Sequence, residues 1–354
     1  MSDFEALIDV LRLQAGACAA MGSAFSGELL QGAAEATQTD DAFRLAFRPW
    51  DQKSRGEIFA DATPLRWLGA MHDAALAAPE SPLARAYPAA DRPGDVAAAW
   101  TFVEAHMRSE PDRVAAFMRH EPQTNEVRRS AVLLPGFLAI AAAARLPLRI
   151  LELGASAGLN QLWDRRRYLL GPDMAWGPDD APFSLDIEWR GEPPPLDAVV
   201  EVVARAACDR NPLALTDPAQ RRRLRAYLWP DQLDRLARFD AAVAEALAAG
   251  VTVDQADAVA WTTANATPIP GVATVVFHSV FLQYMPKESQ AALVEALKTF
   301  GDWATLERPL AWLRMEPSPE NPAVMELRLT LWPEGEDRLL AHAHPHGAWI
   351  EWRS

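Results

Sequence analysis

The stretch from Arg149 to Asn160 limits the possible folds of this chain more than any other part of the sequence. Its first part, Ile150-Leu151-Glu152-Leu153, is apolar except for one glutamate, as is typical of a strand buried on both faces. The next residues are mostly small and would let a ligand approach the backbone closely: Gly154, Ala155, Ala157 and Gly158. We expect a helix from Leu159 to about Leu170, whose free N–H groups would attract a carboxylate, a phosphate or another anion.

Two chemistries fit this turn. Read as Glu152-x-Gly154-x-Ser156-x-Gly158, it resembles the first motif of class I S-adenosylmethionine-dependent methyltransferases. Read as Gly154-x-Ser156-x-Gly158, it matches the nucleophile elbow of α/β-hydrolases, with Ser156 as the nucleophile. A hydrolase elbow follows several strands and an oxyanion loop, whereas the chain before this turn has a helical pattern and no His-Gly-Gly-Gly segment. The context therefore favours a cofactor-binding turn.

Composition excludes several classes of function. The chain has 354 residues, of which 50% are hydrophobic, so it is long enough for about two domains with substantial cores. Its net charge of −14 would repel phosphate backbones, so we expect no nucleic-acid partner. The 2 cysteines form no metal or disulfide pattern, and we find neither a signal peptide nor a membrane span. These features predict a cytoplasmic protein that does not bind membranes.

The hydrophobic pattern divides the chain in two. Helical spacing dominates early in the chain, which predicts an all-helical N-terminal domain over residues 1–122. Strand and helix patterns alternate afterwards, and a hairpin around Pro333–Asp337 closes the chain. Residues 123–354 are therefore expected to form an α/β domain, Rossmann-like, with a mostly parallel sheet and a terminal antiparallel hairpin. We also expect a strand at Ser184–Trp189 and a long helix, Asp217–Leu247, kinked at Trp229-Pro230.

Candidate catalytic residues follow the strand predicted at Gly271–Val280. His278 would lie at the carboxyl end of this strand, where parallel sheets present functional groups, and Gln283 and Tyr284 come soon after it. A histidine there can act as the general base that takes a proton from a substrate nucleophile. The alternative is a buried histidine hydrogen-bonded within the core.

The segment Gln123-Thr124-Asn125-Glu126 interrupts the helical pattern. Thr124 or Asn125 can cap the helix that follows and runs to about Ala144. Because this helix leads into the central strand, its start is also a candidate to lie over the turn. Gln123, Asn125 and Glu126 are therefore candidate substrate-binding residues.

Two further groups near the end of the chain have the right residue types for a site. His342, His344 and His346 alternate, so in a strand they would share one face, a geometry that suits a metal ion. No carboxylate or cysteine lies at a diagnostic spacing, and we predict no metal site. Arg314 and Glu316 are expected to form a structural ion pair, with the alternative that Glu316 reaches the pocket.

Longer motifs resemble those of a known bacterial family, domain of unknown function 2332, over nearly the full length. The motifs that carry this resemblance are Gln123-Thr-Asn-Glu126, Leu151–Asn160, Cys208-Asp209, Trp229-Pro-Asp-Gln232, Phe277-His-Ser279 with Gln283-Tyr284, Leu313-Arg-Met-Glu-Pro317 and His342-Ala-His-Pro-His-Gly347. The resemblance implies membership of this family but does not by itself indicate a reaction.

The wider resemblance to class I methyltransferases covers residues 125–354 and implies S-adenosylmethionine as cofactor. It implies that the turn from Glu152 to Asn160 binds the cofactor. The amino-acid end of the cofactor would contact Glu152, Gly154, Ala155 and Gly158. Asp209 would bind the ribose, with Glu188 or Glu192 as alternatives, and Asp257 with Ala258 would bind the adenine. Ser156 stands where these enzymes usually have glycine.

From this second resemblance we expect a methyltransferase that acts on a small molecule, with His278 as general base. Its acceptor would be oriented by Gln283 and Tyr284. Two alternatives remain open. One is a serine hydrolase that uses Ser156, and the other is a non-catalytic protein that binds the cofactor on the same fold.

Overall fold

The computed structural model describes residues 4–353. Its α-helices, in chain order, are α1 (Glu5–Ala20), α2 (Ala24–Ala36), α3 (Asp41–Phe47), α4 (Arg55–Ala60), α5 (Thr63–Ala77), α6 (Pro82–Ala86), α7 (Val96–Ser109), α8 (Pro111–Met118), α9 (Arg129–Ala144), α10 (Pro218–Ala226), α11 (Leu233–Ala249), α12 (Ala258–Asn265) and α13 (Lys287–Gly301). Short 3₁₀ segments lie at Arg48–Trp50, Leu159–Arg165 and Leu282–Tyr284. Within the described residues, no helix has both the length and the apolar character needed to cross a bilayer.

The strands begin only after α9. They are β1 (Leu148–Leu153), β2 (Arg167–Leu169), β3 (Ala175–Trp176), β4 (Ser184–Asp186), β5 (Glu188–Arg190), β6 (Val202–Asp209), β7 (Asp254–Gln255), β8 (Ala273–Ser279), β9 (Leu310–Pro317), β10 (Met325–Trp332), β11 (Glu336–Ala343) and β12 (Trp349–Trp352). The helical pattern of the first third of the sequence is thus realised as helices.

The larger sheet has nine strands in the order β5-β12-β11-β10-β9-β8-β1-β6-β7. Strands β9, β8, β1, β6 and β7 run parallel to one another, whereas β10, β11 and β12 are antiparallel additions joined in sequence order. A separate sheet of three short strands has the order β3-β2-β4. The predicted mixed α/β class, the mostly parallel sheet and the helical N-terminal region are confirmed.

Helices cover both faces of the parallel part of the sheet. On one face α9 packs against β8 and β9, and a Cβ at its Gly136 would overlap the side chain of Leu313. Trp312 points to the opposite face, where it shares a core cluster with residues of α12 and α13. The central strand β1 lies between these layers. This explains why its apolar residues are continuous rather than alternating.

Two local predictions were wrong. The segment expected as one strand at Ser184–Trp189 forms β4 and β5, which belong to different sheets. The region Asp217–Leu247 is two helices rather than one kinked helix, because the chain leaves the helical path around Trp229-Pro230. Proline lacks a backbone N–H donor and disfavours helical dihedral angles at the residue before it. The same effects that predict a kink at Trp229-Pro230 therefore also account for a complete break between the two helices.

The chain divides into two compact units, which we call the helical unit and the sheet unit. The helical unit contains the residues up to Thr124 together with Thr216–Asp240, and the sheet unit contains Asn125–Leu215 and the residues from Ala241 onward. The helical unit has its own apolar core, whose fully buried side chains include Leu11, Leu30, Phe43, Phe47 and Trp67. The sequence analysis had placed Thr216–Asp240 in the α/β domain.

The motif Trp229-Pro-Asp-Gln232 has a structural role within the helical unit. The Asp231 carboxylate accepts hydrogen bonds from the Ser23 hydroxyl and from the N–H of Phe25, at 3.0 Å for the latter. Gln232 donates to the carbonyl of Met21 at 3.0 Å. The Asp231 contact satisfies a backbone donor at the start of α2, and the Gln232 contact satisfies a carbonyl at the end of α1. The motif therefore fixes the turn between α1 and α2 from a distant part of the chain.

We expect Asp231→Ala to lower the free energy of unfolding by about 2 kcal/mol, because a buried helix start loses a charged acceptor. Urea unfolding followed by circular dichroism measures this change. Asp234→Ala is the control, since Asp234 is exposed on α11 three residues away. Equal losses in the two variants would show that the contacts of Asp231 do not stabilise the unit.

Candidate functional site

The strand order of the parallel sheet reverses at β1. From β1 the chain builds the sheet outward on one side through β6 and on the other side through β8. In open parallel sheets the connections leave a crevice at the point where the strand order reverses, and ligands bind there. The turn Gly154–Gly158 lies at this position, directly after β1.

The turn has an unusual backbone. Gly154, Ser156 and Gly158 all have positive φ angles, of 65°, 55° and 76°. Glycine is required at position 154 for a second reason, because a Cβ there would overlap the ring of Phe281. Ser156 adopts the left-handed conformation despite its side chain, which is uncommon outside glycine and points to a functional or structural demand.

The N–H groups of the turn are already occupied by the protein. Asn125 Oδ1 accepts from Ala157 and Leu159 at 3.3 and 3.0 Å, and Asp209 Oδ2 accepts from Ser156 at 2.8 Å. The N–H groups of Ala155 and Gly158 donate to the carbonyls of Cys208 and Ala155, and the backbone of Gly154 is hydrogen-bonded to the Cys208 side chain. The expectation that free N–H groups here attract an anion was therefore wrong, because side-chain oxygens of the chain itself fill that role.

The helix predicted at Leu159–Leu170 was also wrong. The chain forms a 3₁₀ segment at Leu159–Arg165, with Leu162 outside helical geometry, and then enters β2. Side chains take the carbonyl groups that an α-helix would use internally: Leu159 accepts from Arg166, Gln161 from Arg205 and Trp163 from Tyr168. No long helix dipole therefore points at the turn.

Three buried polar atoms around the turn make no hydrogen bond with any residue of the range 4–353. They are Glu152 Oε2, Ser156 Oγ and Asn160 Oδ1. Their residues are only 4%, 7% and 2% exposed, so bulk water does not replace the missing partners. Buried polar atoms are nearly always hydrogen-bonded, and three such atoms within nine residues are unusual. Two of them are pure acceptors when Glu152 is ionised, so the site is suited to a ligand with N–H or O–H donors.

Burial also changes the acidity of Glu152. The pKa of this carboxyl is raised to about 8, mainly by removal from water; the charge of Arg166 opposes the rise, and that of Asp209 contributes to it. A carboxyl in this state is protonated at neutral pH unless a positive charge approaches it. Perturbed carboxyls of this kind cluster at functional sites.

The residues expected to hold a ribose and an adenine have structural partners. Asp209 ends β6, and its carboxylate accepts from the N–H groups of Ser156 and Asn211, both at 2.8 Å. Asp257 caps α12 by accepting from Val259 and Ala260. Ala258 is the first residue of that helix. Their roles toward a ligand stay predictions.

The candidate substrate-binding residues fall into different units. Asn125 and Glu126 belong to the sheet unit, whereas Gln123 belongs to the helical unit. The side chain of Asn125 binds the turn rather than capping α9, which has no side-chain cap. The Glu126 carbonyl accepts from Asn160 Nδ2 at 3.3 Å, and its carboxylate lies 3.8 Å from His346 Nδ1. The segment thus supports the turn from one side.

His278 lies where the sequence predicts, near the carboxyl end of β8, but it is fully buried. Its Nε2 accepts from the indole N–H of Trp312 at 3.0 Å, so the proton lies on Nδ1, which donates to Glu316 at 2.7 Å. Both ring nitrogens are thus engaged, as in the alternative of a hydrogen-bonded core histidine. In this arrangement Nε2 is not available to take a proton from a substrate. Gln283 and Tyr284 are exposed in the 3₁₀ segment that follows.

The ion pair expected between Arg314 and Glu316 is not formed, and the contacts that Glu316 makes instead were not predicted. This residue does not pair with Arg314, which instead contacts Asp337 at 2.6 Å. The Glu316 carboxylate accepts from His278 and also from the N–H of Phe281, at 2.9 Å. The preceding residue, Val280, has a φ of 54°, an outlier for a β-branched side chain. Glu316 therefore holds the strained segment that places the Phe281 ring on the turn.

The three alternating histidines do not form a metal site with other side chains of the described range, which contains no group of three or more potential ligands. The ring of His344 accepts from the N–H of His346 at 3.1 Å. Burial, and the charge of Arg128, lower the pKa of His344. These contacts are consistent with a structural turn after β11.

The buried carboxyl of Glu152 should make stability depend on pH. Its pKa is about 8 in the folded protein and about 4.5 when unfolded, so its contribution is fully present below pH 4.5. As the pH rises from 4.5 to 8, the free energy of unfolding should fall by about 1.4 kcal/mol per pH unit through this group. We expect Glu152→Gln to avoid this loss and to gain on the order of 3 kcal/mol over the wild type between pH 5 and pH 8.5.

Urea unfolding at the two pH values tests this expectation. Glu201→Gln is the matched control, because Glu201 is exposed in the same unit. Parallel pH profiles for the wild type and Glu152→Gln would contradict the raised pKa.

Comparison with known proteins agrees with the motif resemblance. A family model described as an uncharacterized protein conserved in bacteria (DUF2332) matches residues 9–352. No curated protein and no solved structure matches the chain. Because the match spans nearly the whole chain, the protein belongs to the bacterial DUF2332 family.

Proposed function

We propose that this protein binds S-adenosylmethionine at the turn after β1 and transfers the methyl group to a small molecule. The observation that carries the proposal is the set of buried polar atoms without partners, Glu152 Oε2, Ser156 Oγ and Asn160 Oδ1. They lie at the reversal point of a mostly parallel sheet, where ligands of such sheets bind. A protein that kept these atoms buried for structural reasons alone would lose stability without compensation.

The charge of the ligand fits this set. S-Adenosylmethionine carries a positive ammonium group and a positive sulfonium group beside one carboxylate, so its net charge is positive. A cation beside Glu152 would stabilise its ionised form, offsetting the burial that raises the pKa to about 8. Ammonium N–H groups would also supply the donors that Glu152 and Asn160 lack.

The methyl transfer itself needs little acid–base chemistry. A lone pair of the acceptor forms the new bond to the methyl carbon, and the electron pair of the broken bond stays on sulfur, which leaves a neutral thioether. Alignment of the two partners provides most of the acceleration. An acceptor that is already unprotonated requires no base, which suits a site where both nitrogens of His278 are engaged. His278 would then act through Glu316 by fixing the segment of Phe281.

The hydrolase alternative has one observation in its favour, the left-handed backbone of Ser156. Nucleophile elbows place their serine on a similarly strained turn. However, Ser156 Oγ has no hydrogen-bond partner among residues 4–353, so no histidine activates it in this structure. The non-catalytic alternative shares the ligand site and differs only in the absence of turnover.

Isothermal titration calorimetry should detect binding of S-adenosylmethionine and of its demethylated product, with dissociation constants in the micromolar range. Glu152→Gln should weaken binding at least tenfold, because a charged hydrogen bond contributes roughly 1.5–3 kcal/mol. As the pH increases toward 8, the affinity of the wild type should increase by as much as tenfold per pH unit, because the cation binds the ionised carboxyl of Glu152. Glu201→Gln should behave as the wild type. No heat from either compound with folded protein would refute the cofactor assignment.

A fluorophosphonate probe separates the two enzyme classes. Under the proposed function Ser156 is not labelled, since a serine hydroxyl that no general base activates reacts slowly with the probe. Labelling detected by mass spectrometry at Ser156 in the wild type, and lost in Ser156→Ala, would favour the hydrolase.

A further inference from the structure

The helical unit contains a concave site, which we call the Arg66 groove. It has a volume of about 390 Å³ and is lined by segments around α3, α5 and α8. Its lining combines apolar side chains, among them Leu45, Trp50 and Met118, with the cations Lys53, Arg66 and Arg119. Pockets for small organic ligands have this size and this mixture of apolar walls with a few charged groups.

Arg66 is buried, with an exposure of 7%, and is held rigidly. Its Nε donates to the carbonyl of Asp61 at 2.6 Å, and Nη1 donates to the carbonyls of Met118 and Arg119 at 3.1 and 3.2 Å. Its Nη2 makes no hydrogen bond with any residue in the described part of the chain, although the side chain lines the groove. A buried guanidinium with an unused donor beside a cavity is prepared for an acceptor from outside the protein.

The groove is electropositive even though the chain as a whole carries a net charge of −14. Asp61 is the one acidic residue in the lining, and its carboxylate accepts from Lys53 at 2.5 Å and from Trp50 at 2.8 Å. Burial raises the pKa of Asp61, but these two hydrogen bonds outweigh it and lower the pKa below its usual value. Nearby, burial and the positive charges of Arg223, Arg119 and Arg66 lower the pKa of His120.

We propose that the Arg66 groove binds a small carboxylic acid with an apolar body. The carboxylate would accept from Arg66 Nη2, with Arg119 adding positive charge at the rim. The apolar body would lie on Trp50, Leu45 and Met118, which form the uncharged part of the lining. This site lies within the helical unit and does not depend on the function proposed for the sheet unit.

Calorimetry on the full chain with 2-naphthoate as probe tests the proposal, and 2-naphthylmethylamine is the control of equal shape and opposite charge. We expect the acid to bind and the amine not to bind. Arg119→Gln should weaken 2-naphthoate about fivefold, the size expected for one partly exposed charge. Ala115→Phe, which fills the groove without changing its charge, should abolish binding. Arg12→Gln removes an exposed charge elsewhere in the unit and should have no effect.

Arg66→Met should abolish binding, but this variant also removes three contacts to backbone carbonyls. The variants at Arg119 and Ala115 therefore decide the outcome if Arg66→Met does not fold. Equal affinity for the acid and the amine would overturn the proposal, since the cations would then play no part. Absence of binding at millimolar 2-naphthoate, or binding unaffected by Ala115→Phe, would overturn it as well.

Discussion

The turn after β1 depends on one side-chain oxygen, Oδ1 of Asn125. By accepting from the N–H groups of Ala157 and Leu159, it holds a backbone with three left-handed residues in place. Asp209 adds a second acceptor at Ser156, so the polar backbone of the turn is satisfied by the protein itself. Side chains rather than backbone groups are then left to meet a ligand. This changes the kind of partner that suits the turn from an anion to a donor of hydrogen bonds.

The polar atoms around the turn fall into two groups. The side-chain oxygens that shape the turn accept hydrogen bonds from its backbone, and both ring nitrogens of His278 on the neighbouring strand β8 are engaged. Those of Glu152, Ser156 and Asn160 are buried and unpaired. Folding removes these three atoms from water without replacing the lost hydrogen bonds. A bound ligand would restore them, which couples ligand binding to the stability of the whole unit.

How well the sequence predicts each element depends on how local its causes are. The strand β1 and its small-residue turn follow from neighbouring residues, as does the position of His278 at the end of β8. The partners of these groups come from far along the chain. Asn125 binds a turn 32 to 34 residues away, and Glu316 binds His278 across 38 residues. The periodicity of apolar residues along a sequence does not predict which distant residues form such pairs. The helix expected after Gly158 failed for the same reason, since Arg205 takes a carbonyl group from 44 residues away.

The ring of Phe281 on Gly154 has a consequence for the strength of binding. Glu316 accepts from the backbone N–H of Phe281, and the ring of that residue lies against the backbone of the turn at Gly154. A ligand that needs this surface binds only the fraction of molecules in which the ring has moved away. The apparent dissociation constant then exceeds the intrinsic one by the inverse of that fraction, so a ring displaced in about one molecule in a hundred weakens binding about a hundredfold. Replacing Phe281 with a smaller side chain would remove this penalty, so the wild-type protein need not have the highest affinity that its own crevice allows.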